Sequence, residues 1–141
     1  MENKGTLVVD LDGTICPIKK SDERYEDLKP YDNVIQKLEE YKKEGFRILI
    51  FTARQMRTHG GNIGLINVHT SRMTMDWLDK WNVPYDEIIF GKPWPGKGGF
   101  YIDDRAIRPD EFLKYNEDEL NKMLDDARAV SYTHLTLPTN R

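Results

Sequence analysis

The chain has 141 residues, of which 38% are hydrophobic and 32% charged, enough for one ordinary globular core and too few for two full domains. A formal charge of -3 gives no global electrostatic reason for a nucleic acid or an anionic membrane as partner, so any anion must be held by a local site. No apolar stretch approaches the roughly 18 residues of a membrane helix, and Met1 to Gly5 runs into a strand pattern without a signal-peptide core, so the expectation is a soluble cytoplasmic protein with no membrane partner.

Thr6-Leu7-Val8-Val9 is a continuous apolar run that empties into Asp10-Leu11-Asp12-Gly13-Thr14, the pattern of a buried parallel strand followed by a loop. Cys16 is the only cysteine, which excludes an intrachain disulfide and reads as a small buried or loop thiol. Lys19 to Lys29 is charged and nonperiodic, ends at Pro30, and reads as a solvated excursion without catalytic content. Val34, Ile35, Leu38 and Tyr41 share one helical face, with Asp32 or Asn33 as cap and Gly45 placed for a left-handed stop, which predicts a helix over about 33–44. Phe46 to Phe51 is a second strand ending in Thr52-Ala53-Arg54. After a glycine-containing loop, Thr70 or Ser71 opens a helix with Trp77, Leu78 and Trp81 on one side, closing at Asn82. Glu87-Ile88-Ile89-Phe90 is a third strand ending at Gly91-Lys92-Pro93, and Gly99-Phe100-Tyr101-Ile102 a fourth ending at Asp103-Asp104. Leu120, Met123, Leu124 and Ala127 continue a helical period that would cover a sheet face.

From Val130 onward the charged helical pattern gives way to Val-Ser-Tyr-Thr-His-Leu-Thr-Leu-Pro-Thr, with no acidic residue. This string resembles the read-through translation of a transposon-based sequencing adapter. The expected organisation is therefore one domain over 1–129 and a non-native tail over 130–141, with the native C-terminus not defined.

Strands alternating with helices predict an α/β fold with a mostly parallel sheet, in which ligands bind beyond the carboxyl ends of the strands. The four polar clusters then converge on one edge. A plain Asp-Gly turn would explain one of them, and a salt bridge to Arg105 or Arg108 would be the structural alternative for Asp103-Asp104. Taken together, Asp10-Leu11-Asp12-Gly13-Thr14, Thr52, Lys92 and Asp103-Asp104 resemble the four-part signature of the haloacid-dehalogenase superfamily. The resemblance runs from about Leu7 to Arg105 and implies a single Rossmann-like domain. It also implies a phosphohydrolase with Asp10 as nucleophile, Asp12 as general acid and base, and Thr52 and Lys92 as phosphate-binding catalytic groups. Magnesium is the implied cofactor, ligated by Asp10, the Asp12 main-chain carbonyl and Asp103 or Asp104, since all-oxygen ligation suits that ion.

These residue types suit the chemistry. A phosphate monoester carries about two negative charges, so a carboxylate can attack it only when cations neutralise both partners. A unit-charge pair 4 Å apart at an effective dielectric near 20 is worth about 4 kcal/mol, so a divalent cation plus Lys92 reverses the balance. Asp10 then forms an aspartyl-phosphate, splitting one hydrolysis into two displacements, and Asp12 protonates the leaving oxygen before deprotonating water. The superfamily's dehalogenases lack the second aspartate, so Asp12 favours a phosphatase.

Neither inter-motif gap has room for the cap by which such enzymes usually select substrates. The expectation is thus an open site with no substantial cap domain, served by large substrates or by a second copy of the chain as lid, that is, a homo-oligomer. Gly13 and Ala53 lie in the loops facing the substrate. Arg54, Arg57 and His59, with His69 at the same mouth, suit a phosphate or sugar hydroxyls, and Trp94 suits a sugar face. The Thr52 to Thr70 loop, Gly-Lys-Pro-Trp-Pro-Gly at 91–96 and Tyr-Ile-Asp-Asp-Arg-Ala-Ile-Arg-Pro at 101–109 resemble the capsule-biosynthesis phosphatase subgroup. That resemblance implies a sugar phosphate or related intermediate of capsular or surface polysaccharide synthesis. Two rivals stand beside it. A polynucleotide 3′-phosphatase would need a basic groove where this acidic chain has only the Arg54 to His59 cluster, and a non-catalytic phosphosugar- or partner-binding module would not need Asp10, Asp12, Thr52 and Lys92 together.

Overall fold

The computed structural model of the chain describes residues 3–136. They form an α/β fold with a three-stranded parallel sheet and helices, divided into two compact units, one up to Trp94 and one from Pro95. The sheet belongs to the first unit. Its strands β1 (Gly5–Val9), β2 (Phe46–Thr52) and β3 (Glu87–Phe90) lie in the order β1-β2-β3.

Register follows from the apolar runs: Val9 is opposite Ile50, and Thr52 opposite Phe90. Only the central strand is deeply buried. Ile48, Ile50 and Thr52 alternate inward along β2, whereas Val8 of β1 is 62% exposed, so the continuous apolar run of β1 is that of an edge strand covered mainly on one side. Helix α1 (Asp32–Lys43) buries Val34, Leu38 and Tyr41, spaced four and three apart as one helical face requires. It packs on β2, with the Tyr41 ring edge-on to Phe46. Gly45 comes next with φ 106°, the left-handed stop expected there. Asp86 fastens α1 to the sheet: Lys42 Nζ lies 2.5 Å from Oδ1, and Ile48 N–H donates to Oδ2 at 2.8 Å.

The helix predicted to open at Thr70 or Ser71 begins earlier. Asn62 caps α2 (Ile63–Ile66), its side chain accepting the Leu65 N–H at 3.1 Å. A wide π turn, Asn67–Ser71, then leads into α3 (Arg72–Lys80). Trp77 is core, as expected, with Nε1 donating to the Leu28 carbonyl at 2.7 Å. That bond pins the segment before α1 onto α3.

The fourth predicted strand does not form. Residues 99–102 carry no ladder, and Ile102 is 90% exposed. Gly96, Gly98 and Gly99 lead into a run of only three apolar residues, so ordering it costs more backbone entropy than so short a strand recovers. The second unit instead contains α4 (Pro109–Lys114) and α5 (Glu117–Thr136). α5 opens with reciprocal bonds between Asn116 and Glu119 and buries Leu120 and Leu124. Its backbone continues through 130–136, where no helical period was read, because extending a formed helix is easy and no proline intervenes before Pro138. Residues 137–141 of the segment read as non-native lie outside the described residues. Among the described residues no helix is long and apolar enough to cross a membrane.

Candidate active site

The carboxyl ends of β1, β2 and β3 carry Asp10, Thr52 and Lys92 on the same edge of the sheet. Asp10 directly follows β1, and Lys92 N–H donates to the Thr52 carbonyl at 3.1 Å, so β3 leaves the sheet held to the end of β2. Lys92 Nζ lies 3.8 Å from Asp10 Oδ1. Burial pushes the Asp10 carboxyl above its ordinary value of 3.8; the Lys92 charge and the Leu11 N–H oppose that shift, and the neighbouring Asp12 charge adds to it. Asp10 still keeps 37% of its side chain open to solvent, so the nucleophile position is approachable.

The loop after Asp10 is anchored by buried side chains and by backbone bonds. Leu11, Ile15 and Cys16 are fully buried, and the Thr14, Ile15 and Cys16 N–H groups all converge on the Leu11 carbonyl. Gly13 has φ 87° and donates to the Cys16 carbonyl at 2.7 Å, a left-handed turn that a side chain would strain.

Arg54 is not at the mouth where sequence reasoning set it. Its side chain is 0% exposed and clamps Asp12: Nε donates to Oδ2 at 3.0 Å and Nη2 to Oδ1 at 2.7 Å. Nη1 donates to Thr74 Oγ1 at 3.2 Å, and the Tyr25 ring lies 4.3 Å from Cζ. The inward turn is local in origin. Thr52 Oγ1 accepts the Arg54 N–H at 3.0 Å, and Ala53 to Met56 closes a turn with Gln55 at φ 60°, a conformation held by Thr70 Oγ1 donating to the Gln55 side chain. The Thr52 hydroxyl is thereby an acceptor toward the backbone, leaving its own proton to donate.

The remaining predicted residues separate into groups. Arg57 is exposed, with Cζ 5.4 Å from the ring of Trp94, which is 45% exposed. His59 stacks on His69 with ring centroids 5.5 Å apart, and its Nε2 is buried with no hydrogen-bond partner among the described residues. His69 also lines an open recess of about 550 Å³ with Arg24, Arg72 and Trp77 that includes none of Asp10, Thr52 and Lys92. Asp103 and Asp104 belong to the second unit, where Asp103 Oδ1 accepts the Arg105 N–H at 2.8 Å and Asp104 pairs with Arg128 at 2.8 Å. Among the described residues no three of His, Cys, Asp and Glu gather as a metal cage.

Sequence reasoning missed Tyr25, Thr74 and Cys16 as the surroundings of Arg54. Tyr25 sits in the segment read as a solvated excursion, and Thr74 lies on the inward side of α3 next to Trp77 and Leu78. The signal for Thr74 was a polar residue on an apolar helical face, which calls for a buried partner.

A carboxylate, a hydroxyl and an ammonium at the carboxyl ends of three adjacent parallel strands define an α/β protein with a polar strand-end site. The chain belongs to the same family as a protein from Vibrio cholerae known from its crystal structure, with which it shares 50% identity over 89% of this chain and 98% of that one, at a TM-score of 0.81. A chain of the Pnkp1/Rnl/Hen1 RNA repair complex aligns at 16% identity and a TM-score of 0.45, over 69% of this chain and 28% of that one. No family model and no curated protein matches the sequence.

Proposed function

We propose that the protein is a magnesium-dependent phosphohydrolase of the haloacid-dehalogenase type, acting through an aspartyl-phosphate on Asp10. The observation that carries the reading is the pairing of an approachable Asp10 with Lys92 at 3.8 Å, beside Thr52 and two residues before a second, immobilised aspartate. Lys92 offsets the charge of both the nucleophile and an incoming phosphoryl group. Thr52 donates its hydroxyl to a phosphoryl oxygen, and N–H groups of the Asp10 to Gly13 loop supply fixed dipoles. Asp12 exchanges the proton with the leaving oxygen and then with water.

The donor chemistry fits the ion. The Asp10 carboxylate and the Asp12 main-chain carbonyl are hard oxygen donors, and magnesium is commonly held by one or two carboxylates with water and substrate phosphate filling the rest. Asp103 and Asp104, which the family resemblance also implied, are described in the second unit, where they bond to the Arg105 N–H and to Arg128. The bound ion supplies charge neutralisation at the phosphate.

For the substrate, the exposed Trp94 face with Arg57 above it supports a phosphorylated sugar, of the kind used in surface-polysaccharide synthesis, over a bare phosphate. The test is turnover of an aryl phosphate and a phosphosugar panel with and without chelator. Metal-dependent phosphate release is expected. Asp10→Asn should abolish radiolabelled phosphoenzyme and lower turnover at least about a thousandfold. Persistence of both would sink the nucleophile assignment, and no metal-dependent turnover on any phosphoester would leave a binding module.

A further inference from the structure

Asp12 is gripped along its whole carboxylate by a single guanidinium, and that guanidinium is fixed in turn from three sides. Thr74 of α3 holds Nη1, the Tyr25 ring covers the plane, and Cys16 Sγ lies 3.7 Å from Nη2. Nothing in the ordinary chemistry of an aspartate two residues after a nucleophile requires this. A carboxylate that only needed to stay charged could face water.

Resting on the phosphohydrolase reading, we propose that Arg54 is a positioning residue that selects Oδ2 of Asp12 as the atom exchanging the proton with the leaving group. Each carboxylate oxygen has about two lone-pair directions. Oδ1 has both occupied, by Arg54 Nη2 at 2.7 Å and by the Cys16 thiol at 3.6 Å. The thiol has one proton, and Asp12 Oδ1 is nearer to the sulfur than its other acceptor, the Leu11 carbonyl at 3.9 Å. Among the described residues Oδ2 accepts only Arg54 Nε, so one direction stays open. Exchanging the two oxygens would break two parallel charge-assisted bonds at once.

The proton balance is closed. As the Asp10 oxygen bonds to phosphorus and the ester P–O bond breaks, the proton on Oδ2 passes to the departing oxygen. When water then attacks phosphorus and the Asp10–phosphorus bond breaks, Oδ2 takes a proton from that water. The grip is therefore worth most where the departing oxygen is a strong base.

That dependence separates positioning from a merely structural role. The experiment measures kcat/KM over a series from dinitrophenyl phosphate to alkyl phosphates, for the wild type, Arg54→Lys and Arg54→Met. Arg54→Met is expected to lose at least about 30-fold more on alkyl than on dinitrophenyl phosphate, within the range that general acid catalysis supplies. Arg54→Lys, which keeps the charge and loses the fork, should fall between. Should Arg54→Met fail to fold, Thr74→Val and Tyr25→Leu each remove one support of the guanidinium, and each should give the same leaving-group selectivity at about 3- to 10-fold. Equal losses across the series, or no loss, overturn the inference while leaving the phosphohydrolase standing. Wild-type silence on the whole series overturns both.

Discussion

Cys16 shows how much the aspartate loop depends on its interior. Burial, then the charge of Asp12, pushes its thiol up to about 12 from an ordinary 9.0, with Arg54 opposing. A protonated buried thiol is a poor nucleophile, so labelling by an aromatic disulfide at pH 8 should be at least about a hundredfold slower in the native protein than in urea. The sign of the linkage is set by the raised value. The stabilising contribution is fully present below pH 9 and is lost as pH rises toward 12. Urea midpoints across that window should fall more steeply for the wild type than for Cys16→Ala. Among individual residues, Asp10, Thr52 and Lys92 were legible because each ends an apolar run and the run fixes its place. Arg54 also ends such a run, yet its partner Asp12 is 42 residues away, and spacing does not tell whether a long cation after a strand turns outward or in.

Asp86 is a junction between elements: just before β3 its N–H donates to the Ile48 carbonyl, its carboxylate accepts the Ile48 N–H, and it anchors Lys42 of α1. The Lys42 bond, then the Ile48 N–H, holds its carboxyl below the ordinary 3.8. A lowered value means stability present above pH 3.8 and lost as pH falls through the lowered one. Asp86→Asn should reduce the acid slope of the denaturation midpoint below about pH 4. Asp86→Ala should cost about 1–3 kcal/mol by chemical denaturation. Among elements, α1 and the three strands were readable because their apolar periods are unbroken. The start of α2 was missed because Asn62 caps only four α-helical residues before the π turn, so the apolar period restarts at α3. The cap itself, an asparagine ahead of Ile63, was the available signal. The false fourth strand shows the converse failure, where composition favours a strand but nothing local supplies its partner.

For the molecule as a whole, a net charge of -3 argues against the counterion-release binding that polynucleotide enzymes use. Single-stranded polynucleotide should not bind at micromolar protein near physiological salt; a filter-binding assay with a steep salt slope would bring the 3′-phosphatase rival forward. The likeness to the Vibrio cholerae protein extends over nearly that whole chain, so one fold is held by two sequences that differ at half their aligned positions. The α/β class was legible from alternation alone. The division into two units was not, because a glycine-rich run at 96–99 marks a bend in the chain and carries no signal for a separate unit beyond it.

The segment between the aspartate loop and α1 bears on how such a fold could change. It is tied at Tyr25 to Arg54, at the Leu28 carbonyl to Trp77, and at the Tyr31 N–H to the Ile15 carbonyl, while 20–24 stays exposed. An engineer grafting a lid onto this scaffold, or a lineage acquiring one, therefore has a tolerant splice point there. An insertion within 20–24 leaves the Tyr25 support of the Arg54 guanidinium in place, whereas one a few residues later would disturb it.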